Sequence, residues 1–332
     1  MKTKIFATMK FIGLATCIML GLVSIIGTGG GGGGGGVAVT PSPYTGITTQ
    51  AQITGDNAEL LAVGTWVTGD LGTNVDIFGA VKADQQVQDN FFSLGFVPFF
   101  LEDTIQQLEI PSSLSQSYYG VVQNVTFDPL YGTCGGVVTG NGTGDDATGM
   151  FTFSLDFNNY CDDDVTIDGA ATLSGTIDLG TEELVVFTMS FSSLSINDTI
   201  ILDGTFSANY TVSPVLVSMS YVALFNQTMK TYWFRDVQYQ LLGGDTYVDI
   251  VAITGRYYDH DIGYVNISVD ESIRINDTEN WPSSGSYILT GAAGTKARLT
   301  FLNVTDFQVE ADTDGDNLYD DYSSGAKSWA SF

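Results

Sequence analysis

Histidine occurs once in the 332 residues, at His260, and only 11 lysines and arginines stand against 38 aspartates and glutamates. A single imidazole leaves no paired-histidine zinc motif. No nucleophile elbow, phosphate-binding glycine loop or haem-attachment motif accompanies it. The formal charge of -27 gives a polyanionic surface that repels phosphate backbones, so nucleic acid is not an expected partner. Cysteine is scarce too. Of the three, Cys17 falls in an N-terminal apolar run, which leaves Cys134 and Cys161 in the rest of the chain.

What is present begins with that apolar run. Lys2, Lys4 and Lys10 precede or bound Phe11 to Ile26, the charged-then-hydrophobic order of an export signal. A retained membrane anchor is the rival reading, although the run is short against the ~20 apolar residues that span a bilayer. Thr16 and the apolar positions after Cys17 fit lipidation at that cysteine poorly. Gly29 to Gly36 have no side chains to bury, and with Thr40-Pro41-Ser42-Pro43 behind them they read as a flexible leash. The expected organisation is a signal or anchor over 1–28, the leash over 29–43, a mixed region with short helices over 44–120, and a β-rich body over 121–332.

Within 44–120, Tyr44 to Gly64 predicts a short helix capped at Thr54 or Asp56, with Glu59 in an early turn and Leu60, Leu61 and Val63 as apolar contacts. Asp76 to Ile110 carries looser helical spacing, and its cluster Phe91, Phe92, Phe96, Phe99 and Phe100 reads as core. From Val121 the period becomes two. Phe151, Phe153, Leu155 and Phe157 alternate with Thr152, Ser154 and Asp156, and Val185, Phe187, Met189 and Phe191 repeat the pattern. Asp168-Gly169 and Asp203-Gly204, an imperfect repeat about 35 residues apart, are the residue pairs favoured in tight hairpins and are expected as turns. The fold class is therefore mainly β: an extended antiparallel meander, a sandwich or an open barrel-like body, with a small N-terminal helical region.

Two features carry chemistry. In an exported chain the remaining pair Cys134 and Cys161 is expected to form a disulfide. In Asp312-Thr-Asp314-Gly-Asp316-Asn-Leu318-Tyr-Asp320-Asp321, alternate carboxylates at Asp312, Asp314 and Asp316 can converge as hard oxygen ligands. Leu318 can offer its carbonyl and Asp320 can act directly or through water, so the expected cofactor is Ca²⁺. Asn317 stands where a glycine is usual in such a loop, and Ser323 where a bidentate glutamate is usual. A solvated acidic turn is the competing reading. A second acidic group, Asp145, Asp146, Asp162, Asp163, Asp164 and Asp168, is expected to face solvent. Tyr258, Asp259, His260 and Asp261 read as a polar turn rather than a catalytic set, so no catalytic residue is assigned.

The run DTDGDNLYDD resembles the aspartate-rich calcium loops of thrombospondin type 3 and dockerin-like repeats. In those loops the first, third and fifth positions bind Ca²⁺, which the resemblance carries to Asp312, Asp314 and Asp316, with Asp320 at the ninth. The export segment, glycine leash, the Tyr160-Cys161 preceding three aspartates, and the progression from SGSYILTGAAGTKARLTFLN to DTDGD more broadly resemble uncharacterised envelope proteins of Gram-negative bacteria. That resemblance implies no activity. The function expected is that of an envelope-attached or secreted structural or interaction protein supported by calcium, with an envelope protein or a surface glycan as partner. Membrane contact is expected only through the N-terminal segment. A surface carbohydrate-binding or adhesion module is one version of it, and an extracellular hydrolase using a carboxylate pair is the alternative.

Overall fold

In the computed structural model, the described residues are 44–66, 122–126, 129–162, 165–180, 183–244, 246–276, 279 and 281–331. The expected signal, the leash, the helical region Asp76 to Ile110 and the aromatic cluster Phe91 to Phe100 lie outside them. The strands are β1 (Val122–Thr126), β2 (Leu130–Tyr131), β3 (Gly135–Asp145), β4 (Met150–Asp162), β5 (Val165–Asp178), β6 (Glu183–Ile196), β7 (Ile200–Asn209) and β8 (Val215–Phe225). They continue as β9 (Lys230–Gly243), β10 (Tyr247–Asp259), β11 (Gly263–Asn276), β12 (Ser284–Thr290), β13 (Lys296–Phe301), β14 (Asp306–Asp312) and β15 (Tyr322–Ser328).

All belong to one antiparallel sheet in which every strand from β3 onward pairs with its successor, and both β1 and β2 pair with β3. This is the meander expected from the sequence, left open: among the described residues β15 does not pair with β1. Alternation places the large apolar side chains of each strand on one face. Phe151, Phe153, Leu155 and Phe157 of β4, Phe187, Met189 and Phe191 of β6, and Leu299 and Phe301 of β13 are all buried in one continuous core. The other face is written in hydroxyls. Thr152, Ser174, Thr188, Ser207 and Ser218 follow one another in register across β4 to β8. Apolar-inward, polar-outward order is the inverse of a transmembrane barrel, whose lipid face is apolar.

The sheet curls around the helix α1 (Ala58–Trp66). Seven of its nine residues are buried, which suits a helix apolar on all sides. Tyr287 of β12 donates its hydroxyl to the Ala62 carbonyl, and Trp66 packs on Tyr287 and Phe301 with centroids 6.1 and 4.8 Å apart. At the other side of the helix Glu59 accepts hydrogen bonds from Lys327 (2.6 Å) and Tyr322 (2.8 Å) of β15. The chain reaches α1 over the sheet rim. Ile47 donates to His260 O, Ala51 to Tyr264 O, and Ile53 to Thr295 Oγ1, at 2.9, 2.9 and 3.0 Å. As expected Glu59 lies in the first turn and Leu61 and Val63 are buried, while the residue before the helix is Asn57, whose Oδ1 accepts the Thr54 N–H at 2.8 Å.

The two Asp-Gly pairs are not turns. Each lies inside a strand, β5 or β7, opposite a bulge in the strand before it. Between Phe157↔Gly169 and Tyr160↔Ile167, two residues, Asn158 and Asn159, oppose Asp168 alone. Between Phe191↔Gly204 and Leu194↔Leu202, Ser192 and Ser193 oppose Asp203 alone. Asn159 and Ser193 adopt left-handed φ of 46° and 54°. In both cases the aspartate Oδ1 accepts the N–H of that left-handed residue, at 3.2 Å from Asn159 and 2.9 Å from Ser193. The glycine that follows permits the close approach: a Cβ at Gly204 would stand 2.3 Å from Ser220 O. A third bulge opposes Asp236 and Val237 to Gly255. Such bulges bend and twist strands, so the repeat marks where the sheet curls, not where it reverses.

Candidate metal centre at the β14–β15 turn

β14 alternates inward Phe307, Val309 and Ala311 and ends on Asp312, which is also fully buried. Burial of a carboxylate requires hydrogen-bond partners, and the turn supplies them. Asp312 Oδ1 accepts the Gly315 N–H at 2.6 Å and Oδ2 accepts the Asn317 N–H at 2.8 Å. The backbone can fold back over Asp312 because Gly315 and Asn317 both take positive φ, 84° and 72°. Asn317, occupying the usual glycine position, thus adopts the left-handed conformation, and its Oδ1 accepts Lys296 Nζ at 2.6 Å.

Asp321 closes the loop from its far end. Its Oδ2 accepts the Thr313 N–H at 2.7 Å, the Thr313 hydroxyl at 2.9 Å and the Asp314 N–H at 3.2 Å. The Thr313 backbone bond, then its hydroxyl, hold the Asp321 carboxyl below the usual range. Together Asp312, Asp314 and Asp321 bring one carboxylate oxygen each to within 4.8 Å of one another, the only such group of three among the described residues. This cluster is able to coordinate a metal ion. Its donors are all hard oxygens, the set that suits Ca²⁺, Mg²⁺ or Mn²⁺ rather than zinc or copper.

Of the ligands expected from the sequence, the fold gathers Asp312 and Asp314. Asp316 lies outside the trio, where its Oδ1 accepts the Leu318 N–H at 2.8 Å, and Leu318 and Asp320 are exposed. Asp321 was not among the expected ligands. Its signal is the doubled Asp320-Asp321: in a loop folded back by two left-handed residues, the later of the pair meets Thr313.

The other sequence-marked residues are structural. Cys134 and Cys161 form a disulfide with Cα atoms 5.1 Å apart, joining the start of β3 to the end of β4 beside the Gly135↔Cys161 pair. His260 begins the β10–β11 turn, where its Nδ1 accepts the Thr231 N–H at 3.2 Å. The preceding Asp259 accepts the N–H groups of Asp261 and Ile262, and burial raises its carboxyl above the usual range despite those bonds. In the second acidic group Asp145 caps its own turn through Ala147 N–H at 2.9 Å, and Asp168 serves the β4 bulge. No family model, no curated protein and no solved structure matches the chain.

Proposed function

We propose that the chain is an exported, non-catalytic structural or interaction protein of the cell envelope or the extracellular space, with Ca²⁺ bound at its β14–β15 turn. The observation that carries this reading is the trio Asp312, Asp314 and Asp321, one member buried and all within 4.8 Å. Three carboxylates that close repel one another, and a divalent cation offsets that repulsion. Asp316, Asp320 and the Leu318 carbonyl are the further oxygens the loop offers to complete a coordination number of about 6 to 8.

The position of the loop gives calcium a structural role. β15 is the edge strand, held on one side by β14 and by the Glu59 contacts to Tyr322 and Lys327. Fixing the turn fixes that edge over α1. The long hydroxyl-rich outer face and the excess of negative charge suit a protein that works in solution outside the cytosol, where a disulfide persists.

The test is a calcium titration of the purified full chain, followed by melting temperature and repeated for Asp312→Asn, Asp314→Asn and Asp321→Asn. Binding to the folded state raises the wild-type midpoint in proportion to RT ln(1 + [L]/Kd). A wild-type midpoint that does not move in millimolar calcium overturns the assignment.

A further inference from the structure

Eight of the fifteen asparagines are followed two residues later by serine or threonine, with no proline between. Serine and threonine make up about a fifth of the chain, so composition alone would supply about three such triplets. Two internal controls separate asparagine from its chemical neighbours. Aspartate shares its turn preferences and local hydrogen bonding, yet only five of 30 aspartates (Asp146, Asp164, Asp203, Asp270 and Asp321) have a hydroxyl residue at that spacing. Glutamine carries the same amide, and of its thirteen only Gln52 does. In seven of the eight asparagine triplets the hydroxyl is threonine, although the outer-face ladder from Thr152 to Ser218 holds more serine than threonine. A hydroxyl-rich surface and turn chemistry therefore do not account for the pairing.

The fold sets two of these triplets face to face. Asn124 of β1 is the register partner of Thr143 of β3, and Thr126 is the partner of Asn141. All four are exposed, because Val138 and Gly140 take the inward positions of β3 and directly opposed residues share a face. Among the described residues no side-chain hydrogen bond engages Asn124 or Asn141. A third, Asn209, ends β7. Its Oδ1 accepts the Thr211 N–H at 2.9 Å and the Thr211 hydroxyl at 2.7 Å, which leaves its Nδ2 unengaged among the described residues. Elsewhere the fold uses the amide nitrogen: Asn226 donates to the Asp198 carbonyl at 3.0 Å and Asn303 to Asp306 Oδ2 at 3.1 Å.

From the triplet bias and these positions we infer that Asn124, Asn141 and Asn209 carry N-linked glycans. In the modifying step Nδ2 forms a bond to the anomeric carbon of a sugar, the bond from that carbon to a phosphate oxygen breaks, and the proton displaced from Nδ2 passes to a base. The co-reactant is a lipid-linked glycosyl phosphate supplied by the exporting cell, so the inference rests on the export reading. It uses no residue of the acidic loop. Position gives the sugar a role. β1 ends the sheet opposite β15, and its Val-Gln-Asn-Val-Thr has no charge to keep a foreign strand from pairing with it. The β14–β15 edge, by contrast, is broken by a bulge and carries Lys327. Bulky, solvated chains on Asn124 and Asn141 shield the uncharged edge.

The experiment takes the full chain from its native host, separates exported from cytosolic fractions and maps proteolytic peptides by mass spectrometry. Peptides containing Asn124, Asn141 and Asn209 are expected to exceed their polypeptide mass by whole sugar residues. Thr126→Val and Thr211→Val, which keep the asparagine, should abolish the increment at Asn124 and Asn209, whereas Thr126→Ser should retain it. Asn124→Gln should remove the increment at that site and leave those at Asn141 and Asn209. Exported protein with unmodified mass at all three asparagines overturns the glycan inference and leaves the export reading standing. A chain found only in the cytosol, with Cys134 and Cys161 reduced, overturns both. An increment that survives in Thr126→Val or Asn124→Gln overturns the assignment to the asparagine triplet.

Discussion

Removing the carboxylate of Asp203 should cost far more than removing that of Asp168, although both aspartates oppose a bulge in the same way. Asp203 is 3% exposed, and its Oδ1 accepts the Ser193 N–H at 2.9 Å and the Ser192 hydroxyl at 3.2 Å. Hydrogen bonds to a charged acceptor contribute about 1.5–3 kcal/mol, and Ser193 needs the anchor because its left-handed φ of 54° is unfavourable for a residue with a Cβ. Burying the carboxylate offsets part of that gain, so Asp203→Ala is expected to destabilise by about 2 kcal/mol. Asp203→Asn, which keeps an oxygen acceptor, should lose less than about 1 kcal/mol. At Asp168 the single bond to Asn159 is longer, 3.2 Å, and exposed, so Asp168→Ala is expected to cost about 0.5 kcal/mol. Guanidinium unfolding of the oxidised protein, with the slope m held common, measures all three. Equal costs at the two sites, or an Asp203→Ala variant within about 0.5 kcal/mol of wild type, would refute the reasoning that burial sets the worth of each bulge anchor.

Four further outcomes follow from the same structure. Replacing Cys134 and Cys161 by serine opens a loop of sequence separation 27 and should lower stability by about 3 to 4 kcal/mol in the chain-entropy account, read from the unfolding midpoint. Trp66→Ala removes the ring that packs against Tyr287 and Phe301 and should cost about 3 to 5 kcal/mol, with increased protease sensitivity of α1 as the accompanying sign. On acidification, Asp321 contributes stability that is complete above its unfolded value of about 3.9 and is lost as pH falls through its lower folded value. Calcium-free melting curves of wild type and Asp321→Asn should therefore converge at the acid end. On alkalinisation, burial first and the Glu59 hydrogen bond second push Tyr322 up to about 12. Its neutral phenol supports α1 fully below about pH 10, and that support is lost as pH rises toward the folded value, which ultraviolet titration of tyrosinate against Tyr322→Phe will show.

The amino-acid sequence by itself determined the strand content, the single buried face and the cysteine pairing. Period-two alternation such as Phe151, Phe153, Leu155 and Phe157 admits only a sheet with one apolar side, and two remaining cysteines admit only one intramolecular bridge. Leu60, Leu61 and Val63 after Thr54 and Asp56 likewise marked a short helix with apolar contacts, while its burial along seven of nine residues came from the sheet that packs on it. Tertiary structure alone decided what the Asp-Gly pairs do. A residue pair suited to a tight turn is equally suited to opposing a bulge, and the choice depends on which strand lies alongside. It also decided the membership of the acidic trio. Asp321 joins Asp312 and Asp314 because Gly315 and Asn317 fold the backbone back, a reversal that spacing along the chain does not encode. Local sequence fixes periodicity and side-chain chemistry, whereas which chemistries become neighbours is set by register and curvature, which the whole sheet determines together.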